Sequence, residues 1–220
     1  MDPQLLLAYY PRFSKYLTDL RSQSTPACDD GSVEQLSFFI NFLENDYGTT
    51  IRKIDTLKSH NEITFDLLWA ILLPQTALVT SCDVTSEPQA LRLQSLSLQK
   101  GPHHSYWILN CEYIDAMDNP DKLGQRFGLA PKSITINKFD GVMPITGLCV
   151  YPIDWHPNVA KLRAKLVERG AKWLHWNGVH HAHYNGFAHR RKGDGYPGHD
   201  GGYIDRRYIK VKVGLISVVC

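Results

Sequence analysis

The sequence predicts an α+β fold: about three helices with a curled antiparallel sheet or partial β-barrel. Three observations predict it. Apolar residues recur at spacings of three and four between Val33 and Tyr47, the period of one helix face. From Thr76 onward the period falls to two, with breakers between the runs, as in antiparallel strands. Strands and helices do not alternate regularly, which argues against a doubly wound nucleotide-binding sheet.

Residues 1–31 read as a poorly ordered leader and linker, residues 32–213 as a single domain, and 214–220 as a tail. In the leader, Leu5, Leu6, Leu7, Tyr9, Tyr10, Phe13 and Tyr16 suit one amphipathic turn or two. The first helix is expected over Val33–Tyr47. Ser32 and Gln35 form a capping box there, and Gly48 supplies the stop. A second, buried helix is expected over Phe65–Leu73, capped by Thr64 and ended by Pro74. Strands follow at Thr76–Cys82, Ala90–Leu98 and Ser105–Ile114, the last apolar enough to be covered on both faces. Two shorter strands, Ser133–Ile136 and Ile145–Val150, flank a turn at Phe139-Asp140-Gly141. A third helix spans Val159–Arg169 with Gly170 as its stop. Strands at Trp173–Val179, Tyr184–His189 and Tyr208–Val213 complete the order, the last two separated by the loop Lys192–Gly202.

Composition narrows the function classes. Five scattered cysteines with no Cys-x-x-Cys pair argue against a disulfide framework or zinc ribbon and for a reducing compartment. No window reaches the ~20 apolar residues of a membrane span, so an intracellular, soluble protein of cytoplasm or nucleus is expected, without a membrane partner. Charge is uneven. Residues 158–212 hold twelve Lys/Arg against four acids, a net +8, whereas the whole chain is +2. Such a basic third suits either a solvated face or an acidic partner.

Each candidate for chemistry has a plainer reading beside it. Six of the ten histidines lie between His175 and His199. On a strand, His181 and His183 project to one face, as two zinc ligands can. The plainer reading is half-exposed strand and turn histidines, so no metal is assigned. Gly193-Asp194-Gly195-Tyr196-Pro197-Gly198 has the spacing of a dinucleotide loop but neither the strand before it nor the helix after it. A phosphate loop is absent from the sequence. Asp115, Asp118 and Asp121 have the wrong spacing for a Ca²⁺ loop, and Asp118-Asn119-Pro120 suits a turn. Cys111 and Cys149 sit in apolar strands where a thiol stays inert. No catalytic residue and no cofactor are therefore expected on this chain. Arg190, Arg191, Lys192, Arg206 and Arg207 form the expected partner-binding set, interleaved with Tyr196, Tyr203 and Tyr208 in the way nucleic-acid surfaces are.

Several segments together resemble a known domain. They are Thr64-Phe65-Asp66-Leu67-Leu68-Trp69-Ala70, Ile136-x-x-Phe139-x-Gly141, Leu148-x-Val150-Tyr151-Pro152 with Trp155-His156, Leu166-x-x-Arg169-Gly170, and Tyr184-x-Gly186. Their order over roughly residues 33–213 resembles an uncharacterised domain found N-terminal to the ATPase module of fungal AAA+ ATPases. The resemblance implies a non-catalytic accessory or recognition domain, with a protein partner or AAA+ substrate and with ATP chemistry in a downstream module. The chain departs from that pattern at a lengthened turn over Asp118–Gly128 and at residues 214–220, as expected of a truncated gene model or a stand-alone paralogue. The alternative is an independent nucleic-acid-binding or His-based metal-binding module.

Overall fold

A computed structural model describes residues 3–22, 31–82, 86–101, 104–117, 126–175, 180–191 and 204–216, the last two segments by backbone course and register. The fold is α+β. Two helices come first, α1 (Gln4–Ser22) and α2 (Ser32–Ser59). The strands are β1 (Glu62–Thr64), β2 (Ala77–Ser81), β3 (Pro88–Lys100), β4 (Ser105–Met117), β5 (Arg126–Asn137), β6 (Val142–Pro144) and β7 (Val150–Pro152). Then come α3 (Val159–His175), β8 (His180–Arg191) and β9 (Ile204–Ile216). Short 3₁₀ turns occupy Phe65–Ala70, Ile145–Gly147 and Ile153–Trp155.

Five strands form one antiparallel sheet in the order β5-β4-β3-β2-β7. It is open at β5 and β7 and does not close into a barrel. β1 pairs with β6, and β8 with β9, as separate two-stranded ribbons. Neighbouring residues of β2 show how the sheet is covered, because adjacent side chains on a strand point to opposite faces. Leu78 joins the main core with Leu91, Leu93, Trp107 and Leu109, under the helical layer that contributes Leu7, Leu43, Ile51 and Leu68. Val79 joins a smaller cluster with Ile153 and Leu162, placing α3 on the other face.

The first helix is longer than its predicted span. α2 runs through Gly48 to Ser59 because the apolar stripe of Ile40 and Leu43 continues at Ile51 and Ile54, all buried. Burying such side chains is worth ~1.5–3 kcal/mol each, against ~1 kcal/mol for a glycine inside a helix. The capping box does not form either. Gly31 is the N-cap, with φ 66°, and no side chain caps the end. The leader also differs from one or two turns. α1 has 19 residues and packs antiparallel to α2, with Leu7 and Ala8 in the main core. Tyr10 Oη donates to Glu44 Oε1 at 2.6 Å, and Phe13 meets Phe39 edge-on at 5.6 Å.

The segment after Thr64 is buried as predicted, but as a 3₁₀ turn without a side-chain cap. Trp107 locks it to the sheet: its Nε1–H donates to the Phe65 carbonyl at 3.0 Å. Phe139 stacks edge-on against Phe65 at 5.8 Å, brought there by the turn in which Gly141 takes φ 76°. β4 is covered on one face rather than both. Trp107, Leu109 and Cys111 are buried, whereas Asn110 and Ile114 are exposed. β5 starts earlier than expected, at Arg126, and the segment expected as a strand over Ile145–Val150 is mostly a 3₁₀ turn leading into β7. The strand expected from Trp173 is instead the last turn of α3, which passes through Gly170 to His175; residues 176–179 lie outside the described residues. No described helix is long and apolar enough to cross a membrane.

Candidate partner-binding groove and ribbon

α3 crosses the outer face of the sheet and leaves a groove of about 390 Å³ beside its C-terminal half. Leu166, Gly170, Trp173 and Leu174 form the helical wall, and Tyr113 and Ile114 of β4 face them. The floor includes Ala90 at the start of β3. The spacing 166, 170, 173, 174 is that of one helix face, so continuation of α3 is what builds this wall. Trp173 is held by Phe127 of β5, with ring centroids 4.9 Å apart. Ile114 is 64% exposed and Leu174 47%, so this apolar lining faces solvent.

Polar groups fasten the helix along the rim. Lys165 Nζ donates to Glu87 Oε2 at 2.6 Å, and that bond holds the Glu87 carboxyl below its usual range. Arg169 donates to the Pro88 carbonyl, and Lys132 Nζ to Gln89 Oε1 at 2.9 Å. Lys172 pairs with Glu168 one turn back, which likewise lowers the Glu168 carboxyl. Tyr113 Oη donates to Asp115 Oδ2 at 3.2 Å; burial first, then the carboxylate charge, raises the phenol. The bonds from Lys165 and Arg169 fasten α3 to the start of β3, and together the groups set charges at the edge of an apolar surface.

The ribbon distributes the predicted basic residues in a way the sequence did not reveal. Arg190 stands opposite Asp205, and Ala188 opposite Arg207, so Arg190 and Arg207 share one face. Arg191 and Arg206 occupy the other face, because they are one position out of phase. Lys192 lies outside the described residues. His181 and His183 share one face of β8, beside a bulge where the register shifts between Ala182 and Tyr184. Among the described residues no group of three or more His, Cys, Asp or Glu is gathered as for a metal. Cys111 is buried in β4, and burial pushes its thiol up to about 11. Cys149, expected in a strand, instead lies exposed just before β7, and partial desolvation still raises its thiol. Neither is an activated nucleophile.

Sequence reasoning missed the groove residues Ile114, Trp173 and Leu174 and the Phe127 ring that backs Trp173. Their signal was the helical spacing of Leu166, Trp173 and Leu174, obscured by reading Gly170 as a stop.

No curated protein and no solved structure matches the chain. A family model described as a domain of unknown function (DUF7025) matches residues 53–157, from the second half of α2 to just before α3, so the chain is similar to that domain over the five-stranded sheet and its core.

Proposed function

We propose that this chain is a non-catalytic accessory domain that recognises a protein partner through the groove beside α3. It resembles the region N-terminal to the ATPase module of fungal AAA+ ATPases, and on this reading nucleotide binding and hydrolysis belong to a downstream module. The observation that carries the proposal is the apolar lining of exposed Ile114 and Leu174 and half-buried Trp173 beside a basic helix. Apolar residues exposed together and ringed by charge are the mark of a contact surface rather than of a reaction centre. α3 carries Lys161, Arg163, Lys165, Arg169 and Lys172; Asp154, Glu87 and Glu168 pair with Arg163, Lys165 and Lys172, and the remaining positive surplus favours an apolar partner segment with an acidic flank.

Peptide display tests this. Selection against the wild-type chain should enrich apolar peptides flanked by Asp or Glu. Gly170→Leu should weaken them by about tenfold or more, the equivalent of ~1.4 kcal/mol. An added Cβ at Gly170 meets nothing within 4 Å, so a side chain there enters open space beside the groove, and the melting temperature should hold or rise. Equal binding by wild type and variant would remove the groove from the proposal. ATP turnover by this polypeptide alone would overturn its non-catalytic part.

A further inference from the structure

We propose that one face of the β8–β9 ribbon binds single-stranded nucleic acid. This is independent of the groove beside α3. Asn185 stands opposite Lys210, Phe187 opposite Tyr208, His189 opposite Arg206, and Arg191 opposite Ile204. Directly opposed residues of an antiparallel pair lie on the same face, and so do residues two apart along a strand. These eight positions therefore form one continuous face, with an aromatic pair at its centre and Lys210, Arg206 and Arg191 around it. His181 and His183 extend the same face of β8 toward its start.

The opposite face has different chemistry. It pairs Tyr184 with Val211, Gly186 with Ile209, Ala188 with Arg207 and Arg190 with Asp205. Its positions are mostly small or apolar, and one of its two arginine positions stands opposite an aspartate position in the register. On the first face, no Asp or Glu occupies any of the eight positions. A face whose positions hold cations and no acids attracts phosphates, and aromatic positions among them suit stacking of bases. Bases in a duplex are already stacked on both sides, so the central Phe187–Tyr208 pair favours a single strand. An acidic protein segment satisfies the cations but leaves the aromatic pair without a stacking partner. From His181 to Arg191 the face extends roughly 33 Å, enough for several nucleotides.

The test is fluorescence anisotropy of the full chain with a labelled twelve-residue oligothymidine, a duplex of equal length and polyglutamate. The single strand should bind best, with log affinity falling against log salt at a slope of about −2 for three cations. Arg206→Gln with Lys210→Gln should cost about tenfold or more and flatten the slope. Phe187→Leu with Tyr208→Leu should lower affinity with the slope unchanged, because stacking carries no counterion term. Arg190→Gln with Arg207→Gln removes the same charge from the other face and should change affinity by less than about twofold. Far-UV circular dichroism of each variant checks the ribbon. Equal losses from the two charge pairs would reduce the effect to diffuse attraction and overturn the proposal. Duplex or polyglutamate binding as tight as the single strand, or no binding at low salt, would overturn it too.

Discussion

Two side chains carry more than packing. Trp107 is buried, and its only polar atom donates to the carbonyl of Phe65, so the 3₁₀ turn and the sheet share one hydrogen bond inside the core. Trp107→Phe keeps an aromatic ring but removes that buried hydrogen bond, a net loss of ~0.5–1.5 kcal/mol. Urea denaturation should show a loss of at least that size; a loss under about 0.5 kcal/mol would mean the bond contributes little. Tyr10 presents a titration instead. Its hydroxyl donates to Glu44, and that bond, with some burial, pushes the phenol from 10.0 up to about 12. A raised acid favours the folded state only while it is protonated. Its contribution is therefore complete below pH 10 and is lost as pH rises toward 12. The stability difference between wild type and Tyr10→Phe should shrink across that window, and a constant difference from pH 8 to pH 11.5 would exclude the linkage. Neither role was legible beforehand. A tryptophan in an alternating strand announces burial, but not which carbonyl its N–H will meet.

At the scale of elements, glycine was the misleading signal. Gly48 and Gly170 each follow a run of helical spacing and each look like a left-handed stop. Both lie inside helices, with nothing within 4 Å of an added Cβ and without a positive φ. What decides is the apolar stripe beyond each: Ile51 and Ile54 after Gly48, Trp173 and Leu174 after Gly170. Local propensity is weak, of order 1 kcal/mol, and the burial available downstream exceeds it. Gly48→Ala should accordingly stabilise the chain by about 0.5–1 kcal/mol, read as a raised urea midpoint at unchanged slope. Destabilisation would show that the glycine serves a close approach not seen around α2. Strands were read more faithfully, since period-two runs bounded by Pro74, Pro88 and Gly101 leave little freedom in where β2, β3 and β4 begin and end. Their register was not readable. Only pairing reveals the bulge at Gln94 between Leu93 and Ser95, or the two unlike faces of the β8–β9 ribbon.

On the scale of the whole molecule, the core is assembled from distant parts of the chain. The stretch similar to the domain of unknown function, residues 53–157, contains the five-stranded sheet but not all of the layer that covers it. Leu7 and Ala8 from α1, with Leu43 and Ile51 from the first part of α2, belong to the same cluster as Ile63, Leu68, Leu72, Leu93 and Trp107. The sequence showed the order of most strands and helices, yet α1 read as a leader because its apolar run suited only a turn or two and linker-like residues follow it. Its place in the core becomes visible only once the surface that α1 covers exists. The covering layer makes a testable difference. A polypeptide of residues 53–157 alone lacks those four buried side chains and exposes what they cover, a loss on the order of 1.5–3 kcal/mol for each larger one. That approaches the 5–15 kcal/mol by which whole domains are stable. Residues 53–157 should therefore bind the dye ANS and melt broadly, whereas a chain that includes α1 and all of α2 should melt in one cooperative step without dye binding. Sharp, dye-free unfolding of 53–157 would show that the sheet and its 3₁₀ turn form a self-sufficient core, with α1 an addition to it.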